Sequence, residues 1–566
     1  MVIQDNIREK IAFLYGVDRE PEISEKLFEI IGKTDDQPSS EQLSISEKDI
    51  VLITYGDQVR REGEFPLVTQ HDFLKQYVHP FINTVHILPF FPYSSDDGFS
   101  VIDHKAVNPD FGAWEHIQAM GQDFRLMFDA VVNHISAKSE WFQSFLRDEV
   151  PYNDYFHVVD PAADLSQVVR PRTLPLLTLF ETNAGIKHVW TTFSDDQIDL
   201  NFSNPDVLLE TIKILLFYVE QGAKLIRLDA IAFLWKIIGT DCLHLPQTHS
   251  VIQLMRDVLD CVVPDVILIT ETNVPHEENV SYFGDGKNEA QMVYQFPLPP
   301  LILYTMAHGN SEMLSNWAAS LESPGNHTTF FNFMASHDGV GLRPLTGIVD
   351  DDEINALAER VKQHGGHVSY RNLPDGGKQP YELNISYFDA ITHPDITSQT
   401  PDIAVDRFIA SQVIGLSLAG VPGIYFHSLF GSRNYHEGVE RTGRARSINR
   451  EMLDGNTLTH ELGDSATIRA KVFSTYRKLL DIRTRESAFH PLGKQIIHRL
   501  NPKLFVVERI SPDENERIIA LVNITGEIVS AHTPFAGKWC DLVAGKIVDA
   551  RKIELHPYQI TWLKPA

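Results

Sequence analysis

Eight short apolar runs, each trailing into polar or charged residues, recur between positions 50 and 428 of this 566-residue chain. They are IVLITYG (50–56), TVHILPF (84–90), RLMFDAVVNH (125–134) and KLIRLDA (224–230), then VILITET (266–272), MVYQF (292–296), TTFFNFMASHD (328–338) and GVPGIYFHS (420–428). Near-continuous apolar strands with helical patterns between several of them mark a parallel sheet buried on both faces. Eight of them predict an α/β fold, a (β/α)8 TIM barrel, here with inserted loop domains and a C-terminal all-β domain. One unit shows the local grammar. Asn204 is a good helix N-cap and Pro205 a good first helical residue. Leu208, Ile212, Leu215 and Val219 then repeat at helical spacing, and Gly222 ends the helix before the strand KLIRLDA.

The remaining chain divides around the barrel. Residues 1–49 are polar and helix-like, an N-terminal helical extension. The barrel runs through 50–138, 204–339 and 404–486. Residues 139–203 and 340–403 are too long for simple connections and read as inserted domains, and long insertions on such scaffolds carry binding function. From 487 to 566 the pattern changes to short alternating strands, LFVVERI, RIIALVNIT, GKWCDLV and KIELHPYQITWL, which predict a small β domain.

The formal net charge of −27 argues against nucleic-acid and anionic-membrane partners. No apolar run of about 18 residues is present, so no membrane span is expected. The start, MVIQDNIREKIAFLYG, does not read as a signal peptide. Three cysteines, Cys242, Cys261 and Cys540, form no C-x-x-C pair and suit a reducing cytoplasm. An anionic co-substrate would need local arginines or lysines to overcome so acidic a surface.

In a barrel of this kind the chemistry lies at the C-terminal ends of the strands. Four runs place acids there: Asp129, Asp229, Glu271 and Asp338. Any one of them alone is as readily a helix cap or an ion-pair partner; four at one rim point to a site. Arg227 and Asp229 lie two apart on one strand and face the same way, so the cation is expected to lower the Asp229 pKa. Glu271 has no base among its near sequence neighbours and is expected to keep a proton at neutral pH. Two carboxyls about 5–5.5 Å apart across a glycosidic bond perform double displacement with retention. His134 and His337 flank the same rim and read as donors to sugar hydroxyls, although a lone histidine is more often structural. Phe99, Phe193 and Phe233 are equally readable as core or as stacking surfaces for a sugar.

The ordered set DAVVNH, QIDLNF (197–202), LIRLDA, ITET and ASHDG resembles the α-amylase-type glycoside hydrolase superfamily. That resemblance implies Asp229 as nucleophile, Glu271 as general acid/base and Asp338 as transition-state stabiliser. HILPFFP (86–92), DDGFSVIDH (96–104), RPR (170–172) and SINR (447–450) resemble the sucrose phosphorylase group within it, from about residue 50 to the end. By this likeness Asp96 and Arg446 hold the far hydroxyls of glucose. His134, Gln197, Arg227 and His337 line the same subsite, and Phe99 and Phe193 stay as substrate-binding candidates on the reading given above. Arg172 faces the acceptor side, where a guanidinium fork suits phosphate.

In the acceptor loop, sucrose phosphorylases carry Asp-Leu-Tyr-Gln, whereas this chain has Gln379, Pro380, Tyr381 and Glu382. RPRTLPLLT, ASHDGVGL, PYELN and the N-terminal extension are most similar to glucosylglycerate phosphorylases of that group. The implied reaction is reversible phosphorolysis of 2-O-α-D-glucosyl-D-glycerate to α-D-glucose 1-phosphate and D-glycerate. The implied partners are the small-molecule glucoside and inorganic phosphate. Tyr381, Glu382, Arg371 and Lys378 are then candidates for acceptor binding. Alternatives are phosphorylases of sucrose, sucrose 6′-phosphate or glucosylglycerol, a hydrolase or transglucosidase, and a non-catalytic sugar-binding protein. No cofactor is expected, and no set of oxygen ligands for calcium is read around Asn133.

Overall fold

In the computed structural model, which describes residues 3–32, 43–171, 174–322, 325–372 and 377–566, eight parallel strands close into a barrel. They are β1 (Val51–Thr54), β2 (Thr84–Ile87), β3 (Arg125–Ala130), β4 (Ala223–Leu228), β5 (Ile267–Thr270), β6 (Met292–Tyr294), β7 (Thr329–Phe333) and β8 (Val421–Tyr425). Seven fall inside one of the eight apolar runs, and β4 begins one residue before its own. Neighbours pair in chain order, and β8 closes on β1 through Val51 opposite Gly423 and Leu52 opposite Ile424. Strands such as β1, β5 and β7 are buried at every position, as expected for a sheet with helices outside and packed side chains within. Gly423 is required where it stands, since a Cβ would lie 2.4 Å from the Phe331 ring.

The helix Pro205–Glu220 starts as its sequence demands, with the Asn204 side chain accepting from the Asp206 N–H. Leu208, Ile212 and Leu215 are buried, and Gly222 takes φ +102°, a conformation open to glycine, to turn the chain into β4. The N-terminal helices Ile3–Tyr15 and Glu20–Ile31 lie against the outside of the barrel. Lys10 Nζ pairs with Asp257 at 2.6 Å on the helix Pro246–Val262, and Tyr15 donates to the Phe202 carbonyl at 2.9 Å.

The two long segments between barrel strands each carry an antiparallel strand pair. Residues 139–203 hold the pair Leu177–Thr182 and Gly185–Trp190; residues 340–403 hold His367–Asn372 and Lys378–Asn384. Beyond the barrel a six-stranded sheet and a two-stranded sheet complete the chain. The period-2 pattern divides them as strand geometry requires. Phe505, Val507, Ile518 and Ala520 join the barrel's core, while Leu504, Val506, Ile519 and Leu521 build a separate small one. The run KIELHPYQITWL makes two strands, Lys552–Leu555 and Ile560–Pro565, in different sheets.

Candidate active site

Three acids meet at the C-terminal rim around one buried guanidinium, and the fourth, Asp338, pairs with Arg446 instead. Arg227 leaves the end of β4 and is paired in register with Asp129 on β3 and Ile269 on β5. Its Nη1 donates to Asp129 and, at 2.8 Å, to Asp229 Oδ1; its Nη2 lies 3.8 Å from Glu271 Oε2. Asp229 and Glu271 therefore flank a single cation from adjacent strands. The residue after Asp229, Ala230, takes φ +48°, a conformation that is strained for a residue with a Cβ. That turn aims the Ala230 N–H at Glu271 Oε2, 3.1 Å away.

Burial sets the protonation of the pair. It pushes the Glu271 carboxyl up to about 7, against the pull of Arg227 and with a push from Asp229 and Asp338. Burial also raises Asp229, with Arg227 and His134 opposing. The sequence reading expected the neighbouring cation to lower Asp229. The structure differs because Arg227 divides its charge among three carboxylates and desolvation outweighs its share. Asp129 shows the opposite balance: burial would raise it, but His86 (Nε2 2.6 Å from Oδ2) and Arg227 hold it below the usual range. A proton held by Glu271 near neutrality is what a general acid needs.

The pocket over these carboxyls is lined by Asp96, Phe99, His134, Phe193, Gln197, Asp229, Glu271, His337, Asp338, Tyr381, Glu382 and Arg446. The structure thus brings together twelve of the sixteen residues given a catalytic or binding role from the sequence; Phe233 also lines the pocket, and Asp129 does not. His134 Nε2 and the Gln197 amide both lie against the Phe99 carbonyl, at 3.0 and 3.2 Å. Phe99 stacks flat on His337, centroids 4.6 Å apart, so it is at once a packing and a lining residue. Phe193 stands edge-on to Phe233 and beside His134.

On the far wall, Arg446 is gripped by Glu382, with Nε and Nη2 at 2.9 and 2.8 Å from its two oxygens. Its Nη1 reaches Asp338 Oδ1 at 2.5 Å, and Glu382 Oε1 also accepts the Gly339 N–H at 3.1 Å. Gly339 allows this approach, since a Cβ there would stand 2.6 Å from Glu382. Glu382, expected at the acceptor, is therefore committed to Arg446 and to the backbone after Asp338.

Four expected residues stand elsewhere. Arg227 lies beneath the carboxyls, 2 % exposed, and does not line the pocket. Lys378 is exposed on its hairpin strand. Arg371 is half-buried, its Nε and Nη2 donating to Gln379 Oε1 at 3.1 and 2.6 Å, and neither it nor Lys378 lines the pocket. Arg172 lies outside the described residues.

Sequence reasoning missed three lining or supporting groups. Arg450 donates to the His337 carbonyl at 2.8 Å and pairs with Asp97 at 2.5 Å. It ends the SINR stretch, but its partners are hundreds of residues away. Asn273 and Arg343 line the pocket close behind two of the acids, and only their nearness to ITET and SHD could have marked them. Below the rim, the Lys236 ammonium sits 3.2 Å from Asn133 Oδ1 and 2.8 Å from Asp199 Oδ2, and it also meets the Phe233 carbonyl.

A closed parallel barrel with such acids at its strand ends has a counterpart in a known family. Residues 67–356 match the alpha-amylase catalytic domain, and the chain belongs to that family. Within it, the chain is 46% identical to a glucosylglycerate phosphorylase of Allomeiothermus silvanus, covering 99% of this chain and 98% of the relative. It is 44% identical to the Escherichia coli glucosylglycerate phosphorylase over 92% of each. Among solved structures, sucrose 6F-phosphate phosphorylase from Thermoanaerobacter thermosaccharolyticum aligns with a TM-score of 0.73 at 25% identity, covering 90% of this chain and 97% of that one.

Proposed function

We propose that this protein is a retaining glycoside phosphorylase that cleaves 2-O-α-D-glucosyl-D-glycerate with phosphate to α-D-glucose 1-phosphate and D-glycerate. The observation that carries the mechanism is the pair Asp229 and Glu271, set about one guanidinium from adjacent strands, with Glu271 titrating at about 7. The full-length likeness to glucosylglycerate phosphorylases supports the choice of substrate.

The Asp229 carboxylate attacks the anomeric carbon, and Glu271 gives its proton to the departing glycerate oxygen. A β-glucosyl ester on Asp229 results. A phosphate oxygen then attacks the same carbon, Glu271 takes the proton back, and α-glucose 1-phosphate leaves with configuration retained. Asp338, fixed by Arg446, flanks the sugar opposite the nucleophile, and His134, Gln197 and His337 line the same subsite. Arg172 is retained as a phosphate donor on the strength of the RPR likeness. A sequence with three cysteines, Cys242, Cys261 and Cys540, and no C-x-x-C pair suits a cytoplasmic enzyme.

The test is incubation with a panel of α-glucosides, with and without phosphate, measuring glucose 1-phosphate and glucose separately. Glucose 1-phosphate is expected from glucosylglycerate only when phosphate is present. Equal release of free glucose without phosphate would overturn the reading in favour of a hydrolase, and preferential cleavage of sucrose or glucosylglycerol would replace the substrate.

A further inference from the structure

An acceptor that receives glucose must place its hydroxyl on Glu271. In a 2-hydroxy acid the carboxylate is bonded to the carbon that bears that hydroxyl. The anion therefore stands beside Glu271 within the pocket, in a chain whose net charge of −27 repels it. Some cation must meet it there.

Two arginines line this pocket among the described residues, Arg343 and Arg446, and Arg446 is saturated by Glu382 and Asp338. The strand pairing brings Arg343 there. The Leu342 N–H donates to the Tyr381 carbonyl at 2.9 Å, so the next residue leaves the sheet at the level of Tyr381. On the neighbouring strand Arg371 stands opposite Gln379, two residues before Tyr381, which the ladder skips at a β-bulge.

The charges of these two arginines are poorly matched within the protein. Arg343 makes one contact among the described residues, with Nη2 at 3.3 Å from Glu278 Oε2, and that carboxylate is 40% exposed and shared with His244 at 3.1 Å. Arg371 donates to the neutral Gln379, with Asp351 acting on it only at a distance. Burial and then the Arg343 charge lower the Arg371 guanidinium below its usual value. Two partly buried cations that act on each other repel, and an anion bound beside them relieves both.

Asn273 completes the surroundings. It lies two residues past Glu271 and packs so closely on Gly341 that a Cβ there would stand 2.6 Å from its amide nitrogen. Its Oδ1 is buried in the pocket wall without a hydrogen-bond partner among the described residues.

We propose that Arg343, with Arg371 behind it, binds the carboxylate of the hydroxy-acid acceptor and selects it over neutral polyols and sugars. This rests on the phosphorylase reading above. It is tested in the synthetic direction with glucose 1-phosphate as donor, comparing D-glycerate with glycerol as acceptors in the wild type, Arg343→Met and Arg343→Lys. The readout is the ratio of kcat/KM for glycerate to that for glycerol within each protein, which cancels any loss of folded enzyme.

The ratio is expected to fall roughly 10- to 100-fold in Arg343→Met, the loss of one charge-assisted contact, and less in Arg343→Lys. An unchanged ratio in Arg343→Met overturns the proposal, whether both activities fall together or neither does. A wild-type protein that glucosylates glycerol but never glycerate fails the underlying reading, and the proposal with it, before any variant is made.

Discussion

Glu382 and Arg446 form a two-pronged ion pair, with Nε and Nη2 of the arginine 2.9 and 2.8 Å from the two carboxylate oxygens. The pair is buried on the Glu382 side and passes its geometry on to Asp338 through Arg446 Nη1. Removing one partner of such a pair leaves the other charge without its counterion. In Glu382→Gln, Arg446 keeps only Asp338 and can shift toward it. We expect kcat/KM for the glucosyl donor to fall about 10- to 100-fold, with Glu382→Asp worse than Gln in donor KM because the shorter arm cannot span both partners. Steady-state kinetics with one donor check this. A loss confined to acceptor KM would instead return Glu382 to the acceptor role that the sequence suggested.

The pH profile follows from the two raised carboxyls. Donor cleavage needs Glu271 protonated and Asp229 ionised. The Glu271 pKa of about 7 in the free protein predicts that kcat/KM for glucosylglycerate falls as pH rises through 7. The acid limb reports Asp229, raised above the ordinary aspartate range by burial. As the two groups interact, the limbs belong to the pair rather than to single residues. A profile flat from pH 6 to 9 would contradict the assignment of Glu271.

The same shift has a consequence for stability. A carboxyl whose folded pKa exceeds its unfolded value binds more protons in the native state between the two values, so native stability drops as pH rises through that window. For Glu271 the window runs from the ordinary glutamate value of 4.5 to about 7. Glu271→Gln mimics the protonated form at every pH. Its melting temperature is expected to match the wild type below pH 4.5 and to exceed it at pH 8. Thermal melts across that range, on protein shown to be inactive toward glucosylglycerate, test the sign.

The barrel was legible because burial on both faces leaves little choice in composition: β1 and β5 are apolar at all but their last position, and each appears as a run in the sequence. The carboxyls were legible because strand ends are where such runs break. What depends on contacts distant in sequence was not. Arg450 meets Asp97 across 353 positions, and Arg446 meets Glu382 across 64. The direction of the Asp229 shift was misjudged for a related reason. Arg227 is visible two residues away, but the enclosing walls that desolvate both groups come from several other strands. Arg343 lies just past the SHD stretch and only the hairpin pairing shows that it turns toward the pocket.

Lys236 joins three segments below the site: the end of β3 through Asn133, the end of the first insertion through Asp199, and the turn after β4 through Phe233. Its side chain is 3% exposed and that of Asp199 fully buried, so neither charge is solvated by water in its place. Asp199 is further held by the Thr192 N–H and hydroxyl, both at 2.7 Å, and cannot turn outward. Lys236→Met is therefore expected to strand a buried carboxylate at a cost of about 3–5 kcal/mol, visible as a lowered melting temperature and loss of activity. Lys236→Met combined with Asp199→Asn removes both charges while keeping the amide able to accept from Thr192. The double variant should recover a large part of the loss, because the penalty comes from an unpaired ion rather than from the missing pair. If the double variant were as unstable as the sum of the two single ones, Lys236 would matter through packing and not through its charge.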